Sequence, residues 1–462
     1  MAQAAGRKAG FGSGESWRAH IAATIALGLP LVGAQLAQMA INTTDVVLLG
    51  RLSATDLAAG VLGTQTFFFF FIFGSGFTNA VMPMAAHAHG RGDEAAVRRA
   101  VRMGFWIVVI YSAIVVVPLH FTAAILTAFG QTPEVAERAG AYMRVAEWAI
   151  FPALLIMALR AFFTAIGRAQ IILWGTLSGT CLNIVLGYAF IFGHFGAPAL
   201  GIEGAAIGAL GTNTLIFLVL AVVAARAPAY RRYGLFTRLW RPDWSVFLEV
   251  VRLGLPVSMT IIAEVGMFMT ASLMMGWIGT IELAAHGIAM QLASIAFMIP
   301  LGLSQAATVR IGQAHGRGDL AALDRAAKAV MAVAVTVSLA GALLFWSVPK
   351  TLIGLFLDPS NPLSEDVVRI AVPLLAVAAA FQLFDCLQAM GAGLLRGLRD
   401  TRVPMLLALF SYWIVGLPAA YLLAFVTGYG GLGVWIGLAC GLVCAAILAN
   451  WRFQRREAYG LV

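Results

Sequence analysis

An all-α polytopic membrane protein, with twelve transmembrane helices in two pseudo-symmetric six-helix bundles, is the fold class that this sequence predicts. Three observations lead there. Of 462 residues, 61% are hydrophobic and only 11% charged, against about 25% charged in a soluble globular chain. Apolar runs of roughly 20 residues or more, each enough to cross about 30 Å of hydrocarbon as a helix, recur from end to end. Stretches of the first half also return in the second at a constant spacing: "LGLP" at 27–30 and 253–256, "LAA" at 57–59 and 283–285, "AHGRGD" at 88–93 and 314–319.

Polar breaks divide the apolar sequence into expected spans at 20–48, 56–84, 99–123, 135–162, 169–194 and 199–224, then 248–276, 282–309, 326–348, 366–394, 403–427 and 432–451. A transmembrane β-barrel would instead show weak alternation in segments of about ten residues. Most of the 30 cations fall in loops on one side of this alternation, among them Arg7, Lys8 and Arg18, Arg91 to Arg102, Arg226 to Arg252, Arg310 to Lys328, and Arg396 to Arg402. The positive-inside rule makes that side cytoplasmic, with both termini on it. It also accounts for the net charge of +9 without a nucleic-acid partner. The N-terminus is polar and the first apolar run is too long for a signal peptide, so none is expected.

The repeat defines the organisation: an N-terminal lobe at 1–224, a basic cytoplasmic linker at 225–247 and a C-terminal lobe at 248–462. Six spans per half give both halves the same orientation, a parallel repeat of the kind found in transporters, with the substrate site between the halves. Pro30 and Pro256 occupy equivalent positions in spans one and seven and are hinge candidates, because proline removes a helix hydrogen bond and permits a kink.

Four acids lie well inside spans: Asp45, Glu147, Glu264 and Asp385. A charge at the bilayer centre costs roughly 2.5–3.5 kcal/mol on insertion scales. Glu147 has Arg144 one turn earlier, and a local ion pair is expected. The other three have no base within a turn. In the repeat Glu264 stands opposite Gln38 and Asp45 opposite Ala271, so these acids are not framework. Glu264, Asp385 and Asp45 are the candidates for binding and releasing a cation, H+ or Na+; two carboxylates with neighbouring oxygens suit Na+ at Glu264 and Asp385. Asn42, Asn183, Gln38 and Gln382, with Gln388, supply polar groups for a cavity; singly, such amides are more often glue between helices. His286 reads as structural. Cys181, Cys386, Cys440 and Cys444 lie inside spans without CxxC spacing and read as apolar fillers. No cofactor is expected. Neither HExxH nor GxSxG occurs, so an enzyme is not expected. A passive channel is the remaining class that the repeat leaves open.

The stretches "DVVLLGRLSATDLAA", "AHGRGD" in both halves and "FQLFDCLQAMGAGLLRGLRDTRVP", in this order over nearly the full length, resemble the multidrug and toxic compound extrusion (MATE) family, and its NorM-like branch in particular. The resemblance implies a V-shaped pair of six-helix bundles in the bacterial inner (plasma) membrane. It also implies secondary antiport through a central cavity, with an organic cation or drug leaving as H+ or Na+ enters. The family's acids in spans one, seven and ten map to Asp45, Glu264 and Asp385, and its asparagine in span five maps to Asn183. Some relatives have a second asparagine where this chain has Gly179. A monomer embedded in membrane lipid is expected. The alternative within the wider superfamily is a flippase or exporter of an amphipathic or lipid-linked substrate. Acids rather than bases inside the spans favour cationic substrates.

Overall fold

The computed structural model describes residues 16–357 and 363–462; Arg7 and Lys8, and the first 15 residues of the expected N-terminal lobe, lie outside them. Twelve helices among the described residues are long and apolar enough to cross a membrane. They are α1 (Trp17–Gly50), α2 (Ala54–Gly90), α3 (Glu94–His120), α4 (Pro133–Ala165), α5 (Ala169–Phe192) and α6 (Gly201–Arg226), then α7 (Trp244–Ile278), α8 (Thr280–Arg317), α9 (Leu320–Ser347), α10 (Ser364–Gly397), α11 (Arg402–Val426) and α12 (Gly430–Gln454).

Several ends are more elaborate than hydropathy suggests. At 37 and 38 residues, α2 and α8 are about 55 Å long and overhang the hydrocarbon; their last two turns contain polar residues that a helix carries easily outside lipid. The repeated "AHGRGD" stops these helices and starts the next. Gly92 and Gly318 take positive φ values of 74° and 70°, where a Cβ is disfavoured. One residue later, Asp93 and Asp319 cap α3 and α9, each Oδ1 accepting a backbone N–H at 2.8 Å. In α11 the helix widens into π segments, Phe410–Gly416 and Leu422–Val426, on either side of a turn containing Pro418.

The two bundles repeat one packing pattern. In the first, α1 packs on α5, α5 on α6, α4 on α2 and α6, and α2 on α3. In the second, α7 packs on α11, α11 on α12, α10 on α8 and α12, and α8 on α9. The contacts between bundles obey the same symmetry: α2 with α7 and α1 with α8, α3 with α7 and α1 with α9, and α2 with α8 on the axis. Glycines permit the closest approaches. A Cβ on Gly76 would stand 2.5 Å from Ser258 N, and one on the equivalent Gly302 would stand 2.7 Å from Val32 N.

Hydrogen bonds between the bundles join them in the half of the molecule that carries the termini. Ser258 Oγ donates to Phe73 O at 2.7 Å, and Gln313 Nε2 to Ala165 O at 2.8 Å. The buried Arg310 of α8 reaches the start of α1, donating to His20 O at 2.7 Å and to Thr24 Oγ1, with His20 Nδ1 at 2.9 Å. On the axis, the His87 and His315 rings meet edge to face at 4.9 Å. The bundles are thus joined near one end and diverge toward the other, in a V. Pro30 and Pro256 are buried, and α1 and α7 run through them as single helices.

Large apolar side chains such as Ile114, Leu218, Leu343 and Ile447 point outward, as a lipid-facing surface requires. Exposed Trp277 and Trp346 sit near one end of their helices and Trp244 and Trp451 near the other, as at the two membrane interfaces. The protein is an integral multi-pass membrane protein.

Candidate functional site

The expected site residues separate into two groups. In the second bundle, α7 and α10 run antiparallel, and their side chains meet at Phe268 and Phe381, ring centroids 6.1 Å apart. Glu264 lies four residues before Phe268 and Asp385 four after Phe381. Both acids therefore stand one turn below the same aromatic contact, each within the other's electrostatic range. Glu264 is half-buried and Asp385 is 5% exposed.

Polar groups surround Asp385, and several lack a partner. Asp385 Oδ1 and Gln382 Oε1 are enclosed without a hydrogen bond. The wholly buried Tyr412, in the first π segment of α11, stands within range of both acids. Its hydroxyl approaches Gln388 without closing a hydrogen bond. Arg396, on α10, faces Glu264; its Nη2 donates to Ser304 Oγ at 3.0 Å, and that hydroxyl donates to Ala389 O at 2.7 Å. Two carboxyls, one guanidinium and oxygens with free lone pairs are brought together. Such hard oxygen donors can hold a proton or a small hard cation.

In the first bundle, Asp45 is half-buried near the far end of α1, beside the Asn183 amide of α5. Asn183 is 1% exposed and its Oδ1 has no partner. Tyr142, from α4, stands within electrostatic range of Asp45, and Thr64 Oγ1 donates to its hydroxyl at 3.5 Å. Gln38 and Asn42 precede Asp45 on the same helix face and are exposed. The structure therefore places Glu264, Asp385 and Gln382 in one group and Asp45 and Asn183 in another.

The expected Arg144–Glu147 pair does not form. The chain tightens into a 3₁₀ turn at Glu147–Ala149, which carries Glu147 inward to His120 Nδ1 at 3.1 Å, while Arg144 stays exposed. His286 is held at both nitrogens: Trp435 Nε1 donates to Nδ1 at 3.1 Å, and Nε2 lies 3.0 Å from Ser272 Oγ. It pins α8 to α7 and α12. Sequence reasoning missed Tyr412 and Arg396. Arg396 had a signal, since it follows Asp385 by eleven residues, three helical turns, and so shares its face. No group of three or more His, Cys, Asp or Glu that could hold a metal ion occurs among the described residues.

A duplicated twelve-helix bundle with carboxylates enclosed in its apolar interior defines a membrane transporter. The family model MatE matches residues 30–189 and 256–422, one segment in each bundle. The chain is 54% identical over 443 residues to a probable multidrug resistance protein NorM of Rhizobium meliloti, covering 96% of this chain and 95% of that one. It is 51% identical, with the same coverage, to the protein of that name in Agrobacterium fabrum. A crystal structure of a eukaryotic MATE transporter superposes with a TM-score of 0.83 at 20% identity, covering 97% of this chain and all of that one. An outward-facing structure of a multidrug resistance MATE transporter gives 0.84 at 20% identity, covering 95% and 96%. The chain belongs to the MATE family.

Proposed function

We propose that this MATE-family multidrug efflux transporter is a secondary active antiporter. It exports organic cations through a cavity between its lobes in exchange for H+ or Na+. The observation that carries this reading is the meeting of Glu264 and Asp385 in an apolar interior, with enclosed oxygens that lack partners. With both acids ionised and Arg396 charged, the cluster carries one net negative charge. A proton or Na+ bound there removes it and weakens attraction for a cationic substrate, so the two cargoes compete. The lobes, 1–224 and 248–462, then rock about the glycine-lined joint while the 225–247 linker keeps them connected. Asp45 and Asn183 form a second polar site in the first lobe, and Gln38, Asn42 and Gln382 line the route. Pro30 and Pro256 lie where α1 and α7 cross the joint and serve as hinges.

A monomeric transporter is part of this reading. The cation bias supports cytoplasmic termini in a bacterial inner membrane, with the V opening outward. A fluorescent protein fused to the C-terminus tests the orientation, since it matures in the cytoplasm.

The decisive experiment is efflux of a fluorescent organic cation from proteoliposomes under separate pH and Na+ gradients. Stimulation by one gradient, lost in Asp385→Asn, is the expected result and names the ion. If Asp385→Asn and Glu264→Gln, folded and inserted, export as well as the unmodified chain, the coupling site is elsewhere.

A further inference from the structure

The segment between α6 and α7 joins the bundles, yet it is built into the first one alone. Tyr233 and Leu235 are each 2% exposed. Tyr233 packs on Phe162, and its hydroxyl lies 3.1 Å from His89 Nδ1. Phe236 stacks on Phe105 at 5.9 Å. Trp106 Nε1 donates to Leu239 O at 2.7 Å, and Arg102 Nη1 to Arg238 O at 3.3 Å. Trp106 lies twelve residues into α3, so the second half of the segment has climbed about 18 Å from the start of that helix. The segment thus runs along α3 toward the bilayer rather than away from it.

Its outward side offers two kinds of group. Arg226, Arg231, Arg238 and Arg241 are exposed, and none has a carboxylate partner among the described residues. Trp240 and Trp244 are 73% and 58% exposed. The nearby acids are engaged elsewhere: Glu94 pairs with Arg232 at 3.2 Å, and Asp243 caps α7. A single tight turn, Arg241 N donating to Arg238 O at 3.0 Å, presents Arg238, Trp240 and Arg241. Arg238 has φ of 54°, a conformation that a side chain with a Cβ rarely adopts and that persists where the surroundings impose it.

The corresponding end of the second bundle is different. Several of its arginines are paired: Arg452 binds Asp400 at 2.6 Å, Arg456 binds Asp324 and Arg399 binds Glu249, while the exposed Arg402 and Arg455 lie at the ends of separate helices rather than on one turn. A general basic bias would not distinguish the two ends.

We propose that the turn Arg238–Arg241, with Arg231, is a binding site for the headgroup of an anionic phospholipid. Guanidinium groups match the geometry of phosphate oxygens, and the exposed indoles fit the interface between headgroup and acyl chain. The site fixes the first lobe to the bilayer surface.

Native mass spectrometry of the purified full chain with added phosphatidylglycerol or phosphatidylcholine tests this. The unmodified chain retains phosphatidylglycerol preferentially. Arg238→Gln/Arg241→Gln lowers that affinity by about 25-fold, about fivefold per arginine, and leaves phosphatidylcholine unchanged. Trp240→Ala weakens retention without altering net charge. The control Arg18→Gln/Arg402→Gln removes the same charge from exposed positions elsewhere on the basic end and leaves affinity unchanged. Equal loss in the control, or full retention in the double variant, overturns the proposal. Competition by inorganic phosphate as strong as by lipid overturns the lipid as ligand. Binding is the readout, so the outcome is independent of antiport.

Discussion

The first bundle has a continuous apolar core, running from Leu31 through Val101, Phe162 and Ile172 to Tyr233. The second has two separate apolar bodies. One contains Met267, Leu374, Phe381 and Trp435; the other contains Leu303, Cys386, Met390 and Leu394. Between them α10 carries Gln382 and Asp385, with Gln388 a turn further on, all buried. The buried cations differ as well. Arg396 of the second bundle faces Glu264, whereas Arg160 of the first donates to the neutral Gln35, at 2.9 Å. Two bundles with the same helix contacts have therefore diverged in their interiors. Core continuity was given up in the bundle where the carboxylates meet, which is the exchange expected when a buried charge has a task.

The largest expected effect concerns that polar layer. Asp385→Leu joins the two apolar bodies and removes an unpartnered polar group, which stabilises the fold by about 1–3 kcal/mol. It also reduces efflux to the level of empty liposomes. A raised thermal midpoint together with lost transport confirms the contrast between the bundles; a lowered midpoint breaks it.

Next comes the joint. Arg310→Met places at Arg310 the residue that its repeat partner, Met84, already is. The variant loses the bonds to His20 and Thr24. Hydrogen bonds of a charged group contribute about 1.5–3 kcal/mol each, so the closed end opens at least tenfold more often. A cysteine introduced at Ala88 then reacts faster with a thiol reagent applied from the terminal side.

A smaller loss is expected from Asp45→Asn. Asp45 is half-buried, without a second carboxylate beside it, and efflux falls less than in Asp385→Asn under the same gradient. The reverse order would move the main coupling site to the first bundle.

The smallest effect lies outside the membrane. Asp243 caps α7, and the Ser245 hydroxyl, assisted by Val246 N–H and by Arg99 and Arg102, holds its carboxyl below the ordinary 3.8 against the opposing effect of burial. Its contribution is therefore complete above pH 3.8 and is lost as the pH falls through its lower folded value. Asp243→Ala costs about 1 kcal/mol at neutral pH, and this difference from the unmodified chain shrinks on acidification.

How far the sequence could be read depended on the kind of feature. The spans were legible because lipid admits only long apolar helices with their backbones satisfied. The helix stop at "GRGD" was legible as a repeat, though its cap geometry was not. Asp385 and Glu264 stood out because buried acids are costly. Arg396 did not, because an arginine at the end of a span looks like an interfacial cation. Glu147 was assigned the wrong partner because a 3₁₀ turn alters which residues share a face.

The sequence by itself determined the twelve spans, the duplication and the inventory of buried charges. Each follows from transfer free energy, which adds up along the chain. The tertiary structure alone decided which charges meet, which end the bundles share and which arginines remain free at the surface. Those outcomes depend on helix rotation and level to within a fraction of a turn, and such small displacements arise from packing between distant segments rather than from local composition.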